Sequence, residues 1–172
     1  MAGNTPKTTT PQVAMKAKVS YATTLTGERT DIGYVQKVGQ LKTLKEGQTY
    51  SALDLEEERM AKGKRKAETV DIEMMFIQET HKAIQAIADA DTTIFLFLEY
   101  PETTASVANK PLVQSVKCTV DIAGQEMNDG DFIKDTMRVY KESKVVETDG
   151  YPIEGDLTCL LYTSPSPRDG AT

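Results

Sequence analysis

The stretch Thr69–Tyr100, TVDIEMMFIQETHKAIQAIADADTTIFLFLEY, decides the fold because the hydrophobic period changes twice within it. Val70, Ile72, Met74 and Phe76 alternate with Thr69, Asp71, Glu73 and Met75, the period-2 signature of a strand with one buried face. From Ile77 the apolar residues fall at helical spacing instead: Ile77, His81, Ile84, Ile87 and Ala88, in a segment rich in Ala, Lys, Gln and Glu. This predicts one helix over about residues 78–89. Asp91 to Tyr100 then returns to strand. Its Phe95, Leu96, Phe97 and Leu98 are apolar on both faces, as expected of a central strand covered from both sides.

On either side of this unit the chain reads as strands and turns. Val13, Met15, Ala17, Val19 and Tyr21 alternate, and a second strand is expected from Ile32 to Leu41, bent at Gly33 and Gly39. Lys45 to Lys66 reads as a long extended loop, in which Thr49 to Leu55 could form a short strand. Downstream, Val116, Cys118, Val120 and Ile122 alternate, Asn128-Asp129-Gly130-Asp131 is turn chemistry, and Phe132 to Tyr140 is the last clear strand. The expected fold is mainly β: a β-sandwich or partly closed barrel of about seven strands with one flanking α-helix.

Composition narrows the function. The chain has 172 residues, enough for one domain with a real core, and 39% hydrophobic with 27% charged residues is ordinary for a water-facing fold. No apolar run reaches membrane-spanning length, and no membrane partner is expected. The first twelve residues, MAGNTPKTTTPQ, lack the apolar core of a signal peptide and read as a flexible arm. A formal net charge of −6 argues against gripping nucleic acid, which needs a basic footprint, and does not exclude a surface past which DNA slides without sticking.

Catalytic chemistry finds no residues to carry it. One histidine cannot build a multi-histidine metal site, and two cysteines give no zinc spacing or disulfide framework. His81 reads as a packed or surface helical residue. Asn128–Asp131 lacks the acidic spacing of a calcium loop, since Met127 and Gln125 stand where ligands would be needed. Asp71 and Glu73 read as solvated carboxylates. No enzyme activity, cofactor or metal is expected. What stands out is a bipolar charge cluster: Glu56, Glu57 and Glu58, then Arg59, Lys62, Lys64, Arg65 and Lys66. Plain solvation is its commonest meaning, and a loop that faces a partner is the sharper one.

The order of these elements resembles the major tail tube proteins of long-tailed, siphovirus-type bacteriophages. Five stretches carry the resemblance: VQKVGQLKTL (Val35–Leu44), YSALDLEEER (Tyr50–Arg59), GKRKAETVDIEMMF (Gly63–Phe76), ETHKAIQAIADADTTIFLFLEYPE (Glu79–Glu102) and VKCTVDIAGQEMNDGDFIKDTMRVYKES (Val116–Ser143). It implies a tube domain over residues 13–157, six copies to a ring, and rings stacked head to tail around a DNA channel. It further implies that the loop at about 45–66, with Glu56, Glu57, Glu58, Arg59, Lys62, Lys64, Arg65 and Lys66, stacks on a neighbouring subunit. A tape measure protein, a tail terminator and distal tail or baseplate proteins are the implied partners, in a virion assembled in the host cytoplasm. A tail terminator or baseplate tube-like protein, or a β-sandwich interaction module, are the alternatives.

The end of the chain stands apart. Cys159 to Asp169, CLLYTSPSPRD, matches the in-frame translation of a transposase-based sequencing adapter, with Gly170-Ala171-Thr172 falling on the barcode behind it. Residues 158–172 are therefore expected to be adapter-derived and foreign to the native protein. Removing Cys159 to Thr172 leaves the net charge unchanged, because Arg168 and Asp169 cancel.

Overall fold

The computed structural model describes residues 17–51, 57–65, 68–101 and 110–152. The expected arm at 1–12 and the expected adapter segment at 158–172 lie outside them. The described chain is mainly β, with ten strands and one helix. In order they are β1 (Lys18–Ala22), β2 (Thr30–Asp31), β3 (Val35–Val38), β4 (Lys45–Tyr50), β5 (Arg59–Arg65), β6 (Val70–Met75), α1 (Gln78–Asp89), β7 (Ile94–Glu99), β8 (Leu112–Ile122), β9 (Lys134–Lys141) and β10 (Val146–Asp149).

Eight strands form one antiparallel sheet in the order β2-β1-β7-β8-β9-β6-β3, and β10 joins it along β8. The eleven-residue β8 makes the sheet fork. Its first half pairs with β10, from Leu112↔Asp149 to Ser115↔Val146, and its second half pairs with β9, from Cys118↔Lys141 to Ile122↔Met137. At the fork Lys117 bonds out of the ladder: its N–H donates to Ser143 Oγ at 3.0 Å and its carbonyl accepts from Glu142 N at 2.8 Å. The two halves fold over one another, so Val19, Tyr21 and Leu96 from one share a core with Ile72, Met74 and Val139 from the other. The arrangement is sandwich-like, and the described strands do not close into a barrel.

β7 is buried on both faces because its two sets of side chains enter two cores. Ile94 and Leu96 face the main core, while Phe95 and Phe97 meet Ala22, Leu25 and Val113 on the other side. Each such side chain contributes about 1.5–3 kcal/mol by leaving water. Tyr151 lids the second cluster. Its ring meets Phe97 edge-on at 5.8 Å, the Arg29 guanidinium lies 3.7 Å over it, and its hydroxyl donates to Glu99 at 2.5 Å. Burial, followed by the Glu99 hydrogen bond, pushes the Tyr151 hydroxyl above its ordinary pKa.

Helix α1 packs on β8 through Ile84, its one fully buried residue, with Ile87 beside it. It ends in a Schellman motif in which Asp91 takes the left-handed position at φ 47°. Thr92 N–H donates to Ile87 O at 3.1 Å and Asp91 N–H to Ala88 O at 3.1 Å, which satisfies two of the open carbonyls.

Two expectations change in detail. The strand expected over Ile32–Leu41 shrinks to β3, Val35–Val38, because Gly33 (φ 49°) and Tyr34 (φ 51°) are consecutive left-handed residues that part it from β2, which ends at Asp31. The segment 39–44 then crosses to β9, where Lys141 Nζ donates to Leu41 O at 2.7 Å. The loop expected at 45–66 contains a β-hairpin: β4 and β5 form a separate two-stranded sheet.

Cys118 lies in the main core, fully buried, and burial pushes its thiol up to about 12. The thiolate is the reacting species, so native protein is expected to leave Cys118 unmodified by iodoacetamide at pH 8, with full labelling in urea. Peptide mass mapping checks this, and labelling of Cys118 in the native state would contradict the packing described here.

Candidate assembly interface

The hairpin is the site that the charge cluster pointed to. Its ladder runs from Lys45↔Arg65 through Gly47↔Lys62 to Tyr50↔Arg59, with a register shift between Lys45 and Gly47. The shift coincides with close packing across the two strands. Met60 lies over Gly47, where a Cβ would stand 2.8 Å from its Sδ, and a Cβ on Gly63 would stand 3.0 Å from Gln48 and Glu46 O. A side chain at Gly47 would displace the exposed Met60 side chain, and one at Gly63 would crowd the Glu46 carbonyl across the ladder.

Of the eight residues singled out by sequence, six are described, and Glu56 and Lys66 lie outside the described residues. Glu57, Glu58, Arg59, Lys62, Lys64 and Arg65 are all exposed. The backbone here is extended, so Glu58 and Lys62 do not make the helical i,i+4 pair that their spacing would allow. Acidic Glu57 and Glu58 sit toward the tip, and the basic residues follow down β5. Lys45 and Arg65 stand directly opposite one another at the root, a like-charge pair that weakens a ladder. The hairpin also exposes apolar surface: Leu44 at 86%, Met60 at 73% and Tyr50 at 50%. A two-stranded hairpin with no packed face is marginal in water. Like charge thus stands at its root, and methionine and tyrosine stand bare on its strands.

The opposite end of strands β3, β6 and β9 carries a second exposed set, which the sequence reading missed. The hairpin is rooted where Val38 meets Ile72 and Val70 meets Val139. At the far end, Met75 N donates to Tyr34 O at 3.1 Å and Phe76 N to Ile133 O at 2.8 Å. Here Tyr34 is 71% exposed, Phe132 74% and Met127 68%. Tyr34 stands out because a left-handed backbone holds it there, a conformation costing a non-glycine residue about 1–2 kcal/mol. Glu126, Asp129 and Asp131 are exposed around this rim.

Other candidate chemistry resolves into structure. Asp71 is gripped by Arg138, whose Nε and Nη2 donate to its two carboxylate oxygens at 2.7 and 2.9 Å, and Lys37 Nζ donates to Glu73 at 2.9 Å. The Arg138 hydrogen bonds hold the Asp71 carboxyl below its ordinary range. These two carboxylates are thus paired rather than merely solvated. His81 packs in the first turns of α1 against Phe76 and sits 2.7 Å from Asp135, an aspartate only 2% exposed on β9. With Nδ1–H donating to Asp135, Nε2 is free to accept, and Gln125 Nε2 lies 3.2 Å from it. A cleft of about 680 Å³ opens between β1, β7 and the 35–42 segment, lined by Val19, Val35, Val38, Leu41, Leu98 and Tyr100 among others. Among the described residues its lining holds no carboxylate, histidine, cysteine or serine. No described helix is long and apolar enough to cross a membrane.

No protein-family model matches the chain, and no curated protein sequence matches it. Among solved structures, the chain is similar to the SPP1 tail tube, determined by solid-state NMR and cryo-electron microscopy. The TM-score is 0.64 over 83% of this chain and 81% of that one, at 11% sequence identity. At that identity the likeness is one of fold: the chain has the fold of a phage tail tube subunit.

Proposed function

We propose that this chain is the structural subunit of a phage tail tube. Six copies form a ring, and rings stack head to tail around a channel through which DNA passes into the host. The observation that carries the reading is the fold, which matches a tail tube over most of both chains and bears a hairpin whose two strands, among the described residues, pair only with each other. A heterologous contact repeated along an axis grows without a built-in limit, so length must be set by other components. A tape measure protein, a tail terminator and distal tail or baseplate proteins fill those roles. The acidic balance of the chain keeps DNA from adhering as it moves. The product is a virion component assembled in the host cytoplasm, and the work is mechanical rather than enzymatic.

Purified protein, alone and with a tape measure protein as nucleus, should sediment as polymer and appear as hollow tubes in negative stain. Persistent monomers under every nucleating condition would overturn the proposal. Closed rings that never stack would replace it with a terminator-like role.

A further inference from the structure

A tube that grows head to tail needs two unlike surfaces on each subunit, one at each end. The hairpin supplies the first. We propose that the rim formed by Tyr34, Phe76 and the 126–133 turn is the second: the socket that receives the β4–β5 hairpin of the next copy. The inference rests on the tube reading and adds which surface takes the hairpin.

Three observations place the socket. The first is position: the hairpin is rooted at the Val38, Val70 and Lys141 ends of β3, β6 and β9, and the rim lies at their Tyr34, Met75 and Lys134 ends. One strand length, roughly 20 Å for the six residues of β6, separates the two, so the contact repeats along the strand direction. The second is charge. The described hairpin carries Arg59, Lys62, Lys64 and Arg65 on β5 and Lys45 on β4, five cations against Glu46 on β4 and Glu57 and Glu58 toward the tip, while the turn presents Glu126, Asp129 and Asp131 against Lys134 alone. The third is apolar surface. Met60, Tyr50 and Leu44 are bare at one end, and Phe132, Met127 and Tyr34 at the other. Exposed apolar residues scattered singly need no explanation, but two sets, each bordered by charge of opposite sign, have the make-up of a matched interface.

Within one subunit neither set can satisfy the other, because they stand at opposite ends of the same strands. A second copy displaced along those strands brings basic stem to acidic turn. The like-charge strain between Lys45 and Arg65 is relieved at the same step, and the backbone strain at Tyr34 is spent holding an aromatic ring outward for the incoming Met60 and Tyr50.

Charge exchange tests the pairing. A hairpin variant, Lys62→Glu with Arg65→Glu, and a rim variant, Asp129→Lys with Asp131→Lys, change only exposed side chains. Circular dichroism and the urea midpoint should match wild type. Each variant alone should raise the critical concentration for assembly, read by sedimentation, by at least about tenfold, because like charges then face each other. All four substitutions in one chain should bring it back to within about threefold of wild type, since opposite charges face again. Assembly of either single variant at the wild-type concentration would overturn the socket. So would a four-substitution chain that folds but stays monomeric while wild type forms tubes, which leaves the tube reading standing. A wild type that never assembles removes both.

Discussion

Replacing Glu46–Lys64 by Asn-Gly should yield a folded monomer that forms no tubes. Lys45 and Arg65 are directly paired, so a two-residue turn closes the shortened chain between them in the geometry that such hairpins prefer. Little else should change. All six residues of β4 are exposed, as is nearly all of β5, and the two strands pair only with each other. The loss of stability should therefore stay within about 1 kcal/mol, as for surface changes away from a core. Assembly, in contrast, loses an entire axial contact and should fall below detection by sedimentation and negative stain. Tubes of normal length from the shortened chain would show that the hairpin has no part in stacking.

The largest effect on stability is expected at His81→Leu, about 3 kcal/mol in urea unfolding at neutral pH. Asp135 occupies an inward position of β9, between the turn and Met137, where an apolar residue would be the ordinary choice. Its carboxylate accepts from His81 Nδ1 at 2.7 Å and from Thr136 N at 3.1 Å. Leucine keeps the helix packing but leaves Oδ2 buried without its donor, and an acceptor stranded in this way costs about 1–3 kcal/mol, more when it is charged. Adding Asp135→Val to His81→Leu should return most of that loss, since an apolar replacement of both partners removes the stranded group. A cost below about 1 kcal/mol for His81→Leu alone would mean that water reaches Asp135 easily and the pair is not a structural tie.

How far the sequence foretold this structure depends on burial, element by element. Val70–Met75, Gln78–Asp89 and Ile94–Glu99 were legible because each buries a definite face, and burial writes a period into the residues. Lys45–Tyr50 and Arg59–Arg65 bury no face, so KEGQTY and RMAKGKR carry no alternation. Gly47 lies under the Met60 side chain and Gly63 against the Glu46 carbonyl, contacts that no period in the residues announces. Charge still marked the segment, since Glu57 through Arg65 stood out by composition alone. The rim was hidden for the opposite reason. Phe132 looks like the first core residue of the last strand, yet β9 begins at Lys134 and its inward set is Asp135, Met137 and Val139. Phe132 belongs to the outward parity and ahead of the strand. Only pairing in three dimensions brings its neighbour Ile133 to Phe76, and Tyr34 to Met75 at the same end of β6. His81 was legible as a packed residue, but its partner fifty-four positions away was not.

Head-to-tail stacking into a tube is open to cryo-electron microscopy of the polymer formed by the purified protein. Rings of six subunits around an open channel are expected, with each β4–β5 hairpin lying in the axial contact against the 126–133 turn of the next ring. A polymer with no channel, or one in which the hairpins face solvent, would contradict it.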